Sequence, residues 1–178
     1  MILSEYQRKS VIFMLYLIYR EYSEISGKSS LLRALYKYSL NNGFRALCHI
    51  RRISETKNKI LKDFFIGRLE RRYGIKMGTD AVIGKRFIIH HPTGIVIGNN
   101  VVIGDDCEIF HQVTLGQKNN QYPVLGNNVT LYPGCKIIGG IHIGDNAVIA
   151  PNTVVIKDVP QNAVVSGVPA KIISQKEY

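Results

Sequence analysis

From residue 77 to residue 160, aliphatic side chains return six positions apart, with two breaks in the register. The anchors are Met77, Ile83 and Ile89, then Ile97, Ile103, Ile109 and Leu115. After a polar loop they resume at Leu125, Leu131, Ile137, Ile143, Ile149 and Val155. Four residues after most anchors stands a small or β-branched residue: Val101, Cys107, Val113, Val129, Cys135, Ala147 or Thr153. Such a period matches neither the roughly 3.6 of a helix nor the roughly 2.0 of an unbroken strand. It matches a chain that coils through short strands and tight turns and stacks on itself. Turn chemistry sits where the coil must bend, at Gly98-Asn99-Asn100, Gly104-Asp105-Asp106, Gly126-Asn127-Asn128 and Gly144-Asp145-Asn146. Glycine, asparagine and aspartate adopt the required backbone angles at little cost.

Upstream the pattern is helical. Residues 4–25 read as a helix with Ser4 at the cap position. Its apolar run, Val11 to Tyr19, is nine residues long, whereas about twenty are needed to span a bilayer. The run is therefore a buried or an interfacial helix. Ser26-Gly27 breaks it, residues 28–40 are helical again, and Asn41-Asn42-Gly43 interrupts. Residues 44–53 and 55–72 continue the helical pattern, with Gly74 as the stop. The chain thus divides into a helical segment (1–75), a solenoid (76–160) and a C-terminal extension (161–178). The extension leaves at Pro160 and packs back on the solenoid, its last residues, 174–178, polar and frayed. The helices are expected to cap the first coil, whose open strand edge would otherwise pair with another chain.

With 178 residues the chain can bury one good core. The net charge of +10 is confined to one end. Residues 1–76 hold 16 Lys/Arg against 6 Asp/Glu, and the remainder holds 7 against 7. No nucleic-acid-binding motif accompanies this excess, so nucleic acid is not the expected partner. An anionic membrane face or an acidic substrate is the expectation instead. Cys48, Cys107 and Cys135 have no metal-ligand spacing, and two of them fill the small-residue column as compact apolar groups. No signal peptide precedes them, so a reducing cytoplasm, with peripheral contact at the membrane's inner face, is the expected location.

Chemistry is sought where the period fails. The step from Ile89 to Ile97 is eight residues and contains His90, His91, Pro92, Thr93 and Gly94. The step from Leu115 to Leu125 is ten, its excess forming a polar loop from Gln117 to Tyr122. With three hexads to a coil, Ile89 lies below Ile109. His91 and His111, each two residues past its anchor, then share one column about 4.8 Å apart. Two imidazoles beside a protruding loop make an acid–base site; the alternative for each is a hydrogen-bonded turn residue. Asp105, Asp106 and Asp145 read as turn residues.

The segments Phe87-Ile-Ile-His-His-Pro-Thr-Gly94, Val113-Thr-Leu-Gly116 and Ser166-Gly-Val-Pro-Ala-Lys-Ile-Ile173 resemble the left-handed hexapeptide-repeat acyltransferases. The likeness is to the serine O-acetyltransferase branch and its relatives that acetylate sugars of bacterial surface polysaccharides. A weaker match covers Gly43-Phe-Arg-Ala-Leu47. The resemblance implies a mainly β fold, a left-handed parallel β-helix of hexapeptide repeats preceded by an α-helical segment. It implies a homotrimer, or a multiple of three, with sites between subunits. It makes His91 the general base, and histidine suits that role because its unperturbed pKa is about 6.5. It places acetyl-CoA, as donor substrate, against Gly116, Gly134, Ala150 and Lys171, and calls for no metal. His90, Gln121 and Tyr122 fall at its acceptor-binding positions.

Several charged positions of the serine branch are occupied differently. The Asp before the base is His90, the Asp ahead of the first coil is Lys76, the loop's Arg-His pair is Gln121-Tyr122, and an upstream Asp-Pro is Lys28-Ser29. A pocket for serine must match one ammonium and one carboxylate. The expectation is therefore acetyl transfer to a carbohydrate hydroxyl of a surface polysaccharide or its precursor. Serine O-acetyltransferase is the alternative. A metal enzyme of carbonic-anhydrase type would need a third converging histidine, and a passive scaffold would leave the histidine column unexplained.

Overall fold

A computed structural model describes residues 5–175; the cap expected at Ser4 and residues 176–178 lie outside the described residues. The helical stretches form α1 (Glu5–Ser26), α2 (Leu31–Leu40), α3 (Asn42–Glu55) and α4 (Lys59–Tyr73). Side-chain oxygens open α3 and α4. Asn41 accepts from the Phe44 amide at 2.7 Å and Asn58 from the Leu61 amide at 3.1 Å, each satisfying an amide the helix leaves unpaired. Gly74 closes α4 at φ 65°, a left-handed angle that costs glycine nothing.

Beyond Gly74 the chain winds into a three-sided parallel solenoid. One face stacks β1 (Ile75–Met77), β4 (Ile95–Ile97), β7 (Thr114–Gly116), β10 (Lys136–Ile138) and β13 (Val154–Val155). The second stacks β2 (Val82–Ile83), β5 (Val102–Ile103), β8 (Val124–Leu125) and β11 (His142–Ile143). The third stacks β3 (Ile88–Ile89), β6 (Glu108–Ile109), β9 (Thr130–Leu131), β12 (Val148–Ile149) and β14 (Ala163–Ser166), edged by β15 (Lys171–Gln175). The anchors fall into three columns: Met77, Ile97, Leu115, Ile137 and Val155; Ile83, Ile103, Leu125 and Ile143; Ile89, Ile109, Leu131 and Ile149, the last continued by Val165. All of them are buried. The small-residue column fills the space between, and burial pushes the Cys107 thiol up to about 11 and that of Cys135 up to about 12.

The turn aspartates and asparagines do structural work. At the corner after the second face, the Asp105 carboxylate accepts from the Lys85 amide (2.7 Å). Asn127 Oδ1 accepts from the Asp105 amide (2.9 Å), and the Asp145 carboxylate from the Asn127 amide (2.6 Å). Asp106 is paired with Arg86 of the coil below. At the far end β14 still stacks in parallel on β12, and the chain turns back only after Ser166, where β15 runs antiparallel to β14. Ser174 and Gln175, expected to fray, belong to that strand.

The helices cover the first coil through α3 and α4. α3 buries two faces, Ala46, Leu47, Ile50 and Ile53 into the solenoid core, Phe44 and Cys48 against Ile18 and Tyr22 of α1 and Ala34 of α2. Arg51 crosses between them. Its guanidinium donates to the carbonyls of Ile83 and Gly84 and, through Nε, to the Glu21 carboxylate at 3.1 Å. Lys62 donates to the Thr79 carbonyl at 2.8 Å. With no coil beneath, these carbonyls would otherwise lose their partners. Outward, α1 exposes Ile12 and Tyr16, and α2 exposes Leu32, Tyr36 and Leu40 at four-residue spacing. Among the described residues no helix is long and apolar enough to cross a membrane.

His49 on α3 lies with its ring 5.6 Å from that of Tyr73. Burial, then the charges of Arg68, Arg72, Arg52 and Arg45, lower its pKa from 6.5 to about 4. An unfolded chain therefore takes up a proton at His49 between about pH 6.5 and about 4 that the folded chain refuses. This contribution to stability is complete above that window and is lost as pH falls through it. His49→Leu is expected to flatten the fall of the unfolding midpoint over that range, measured by urea titration at several pH values. Arg51→Ala leaves Glu21, 1% exposed, with Arg20 alone at 3.0 Å and strips the Ile83 and Gly84 carbonyls of their donor; it is expected to cost about 1–3 kcal/mol in the same assay. Replacing both by apolar residues should cost less than the two single losses combined.

Candidate active site

The widened step after β3 builds a turn around His91. Its backbone sits at φ 52°, a left-handed angle uncommon outside glycine. The His91 carbonyl accepts from the Thr93 amide at 2.7 Å, and Gly94 follows at φ 69°. The effect is to push an exposed imidazole outward at a corner of the solenoid. His111 stands one coil above. The two rings are 6.0 Å apart between centroids and inclined at 78°, so the column counted from the hexads brings these residues together. His111 is half-buried, and its Nδ1 is sealed from solvent with no hydrogen-bond partner.

Two clefts meet at this turn. One, of about 370 Å³, is lined by Leu40, Asn41, Asn42 and Gly43 opposite Ile89, His90, His91, Pro92 and Thr93. The other, of about 200 Å³, shares Asn41, Gly43, Ile89 and His90 and continues over apolar residues to Lys37. Gly43 sets the gap, since a Cβ there would lie 1.8 Å from the Ile89 carbonyl oxygen. Only glycine lets the start of α3 approach the strand that leads into the histidines.

Charge enters the clefts from positions that column counting does not register. His90 Nε2 is 3.0 Å from a Glu108 carboxylate oxygen, and its ring stacks on Phe110 at 4.3 Å, which stacks in turn on Tyr132 at 5.2 Å. Lys37 lies with its ammonium 5.2 Å from the centre of the Phe44 ring. On the other side of Thr93, Arg45 and Arg72 line a third cleft of about 350 Å³ with Tyr73 and Gly74. Arg45 is also bound there, donating to the Tyr38 and Ser39 carbonyls at the end of α2. A column of equivalent hexad positions would have placed Glu108 above Ile88, a register the strands keep; its diagonal reach to His90 was the missed signal.

Other assigned residues lie elsewhere on the chain. Tyr122 packs over Gly98, and Gln121 lies over Gly140 and pairs with Lys118 across the loop. Neither lines the clefts at the histidines. Gly134 has a reason within the chain to lack a side chain, its φ of 74°, whereas at Gly116 only the movable end of Ile138 stands in the way. A Cβ would meet Asn152 Oδ1 at 2.2 Å in the first case and Ile138 Cδ1 at 2.8 Å in the second. Ala150 is half-buried, and its amide donates to the Val165 carbonyl. Lys171 is exposed on β15, beside a cleft of about 280 Å³ lined with Asp158 and Ala170. Among the described residues no three His, Cys, Asp or Glu side chains gather as a metal site would need.

Residues 122–157 match the bacterial transferase hexapeptide (six repeats) family. A serine acetyltransferase of Mycobacterium tuberculosis is 43% identical over 108 residues, 58% of this chain and 47% of the relative. The crystal structure of Neisseria gonorrhoeae serine acetyltransferase in complex with serine superposes with a TM-score of 0.74 at 30% identity, covering 96% of this chain and 71% of that one. The Brucella abortus serine acetyltransferase in complex with coenzyme A gives 0.75 at 27%, covering 97% and 71%. The chain spans about half the length of the curated relatives it matches, 47% and 52% for two of them. These likenesses overturn the expected carbohydrate acceptor. That expectation counted charges at four aligned positions, whereas Lys37 lines one of the clefts and Glu108 reaches His90, which lines both, from positions outside the count.

Proposed function

Because the chain belongs to the hexapeptide-repeat transferase family of the serine acetyltransferases, we propose that it transfers the acetyl group of acetyl-CoA to the hydroxyl of serine. The observation that carries this reading is the imidazole of His91, held outward at φ 52° in the larger of the two clefts that Gly43 and His90 line, with a second ring 6.0 Å away. His91 takes the hydroxyl proton as the serine oxygen attacks the thioester carbon. Collapse of the tetrahedral intermediate breaks the carbon–sulfur bond, and the proton passes to the departing thiolate. The products are O-acetylserine and the free coenzyme thiol. In this reading the donor lies against Gly116, Gly134, Ala150 and Lys171, and a homotrimer, or a multiple of three, brings Gln121 and Tyr122 of one subunit toward the histidines of the next.

Release of free thiol from acetyl-CoA should depend on added L-serine and saturate, with O-acetylserine appearing in equal amount by mass spectrometry. Thiol release that ignores serine would reject the acceptor. His91→Ala is expected to lower kcat by about 10²–10⁴-fold while the melting temperature stays near that of the wild type. A folded variant with near-native kcat would remove His91 from the role of base. Light scattering should give a mass of three chains or a multiple; an active monomer would reject the shared site.

A further inference from the structure

We infer that His111 is a second catalytic residue, whose Nε2–H donates a hydrogen bond to the acetyl oxygen as it becomes the tetrahedral oxyanion. The inference rests on the acyl-transfer reading above and assigns a role that the position of His91 leaves open. A neutral imidazole carries one N–H and one bare nitrogen, and the surroundings decide which is which. In His111, Nδ1 is buried without a partner, while Nε2 is not sealed in this way. A proton on Nδ1 would bury an N–H that has no acceptor. With the proton on Nε2, the buried atom is only an unused lone pair. Orphaned buried donors are rarer and costlier than under-used acceptors. The ring therefore turns a donor, not a base, toward the open side of its corner.

The neighbour on that corner is His91, with ring centroids 6.0 Å apart and planes at 78°. Acyl transfer needs two groups about one centre, a lone pair for the hydroxyl proton and a donor for the carbonyl oxygen that gains charge. Two like rings, one offering an N–H and the other a bare nitrogen, supply both. The serine oxygen forms its bond to the carbonyl carbon and loses its proton to His91. The carbonyl π pair moves onto oxygen, where the His111 N–H meets it. When that pair returns, the carbon–sulfur pair leaves with the thiolate, which takes the proton from His91. No covalent bond to either ring is made.

The test uses the full chain in its native assembly. In ¹⁵N-histidine-labelled protein, the long-range nitrogen–proton spectrum should show His111 as the Nε2–H tautomer; the Nδ1–H pattern would overturn the inference. In steady-state assays with acetyl-CoA and L-serine, His111→Leu should lower kcat by about 10²–10³-fold and leave KM for serine within a few-fold. His111→Gln keeps an N–H at nearly the Nε2 position and should recover most of that loss. A loss expressed only in KM, or a glutamine variant as slow as the leucine variant at equal melting temperature, would also overturn it. If the leucine variant fails to fold, the wild-type spectrum and the glutamine variant still decide. Absence of serine-dependent thiol release in the wild type would count against the acceptor and not the ring, because the tautomer is read without substrate.

Discussion

Every strand of the solenoid is two to five residues long, too short to hold a conformation alone. Its peptide groups find partners only in the coil before or the coil after. That requirement forces each hexad onto the one three hexads away, and it turns a linear sequence into columns. The inward columns become the core. The outward ones become ladders, and whatever stands in one residue of a ladder meets its counterpart one coil away. The site is a product of this rule: His91 and His111 each stand two residues past anchors that the register stacks, Ile89 under Ile109, and the two-residue excess follows as the turn through Thr93 and Gly94.

The same requirement creates a problem at the first coil, which has nothing beneath it. Arg51 and Lys62 meet it by donating to carbonyls of that coil, and Glu21 holds Arg51 in place. The positive charge of the helical segment is thus partly structural, since an ammonium or guanidinium is a donor with no acceptor of its own. Gly43 performs the complementary task, bringing α3 into contact with the carbonyl of Ile89. The helical layer forms one wall of the clefts at the histidines as well as the lid of the core.

Much of this was legible in the sequence because a repeat encodes its own geometry. Thirteen anchors in register left little freedom in the fold, and counting them stacked His91 below His111. Helix ends followed from Gly27, Asn41 and Gly74. What remained hidden was whatever joins distant parts of the chain off the columns. The ion pair of Glu21 with Arg51 spans 30 residues between two helices, and periodicity carries no information about it. The contact of His90 with Glu108 runs diagonally between coils and escaped for the same reason. The acceptor was assigned from the charges missing at four aligned positions, a count that takes no account of such contacts. A charge census by aligned position measures ancestry; a census by cleft measures chemistry.

The corner of aspartates and asparagines has a direction. Asp105 closes the amide of Lys85, Asn127 that of Asp105, and Asp145 that of Asn127, always from the later residue to the earlier. Each of these links spans 18 to 22 residues. Each turn of this wall is closed by a side chain of the coil that follows, so a chain cut short at any coil leaves the last turn's amide without that partner.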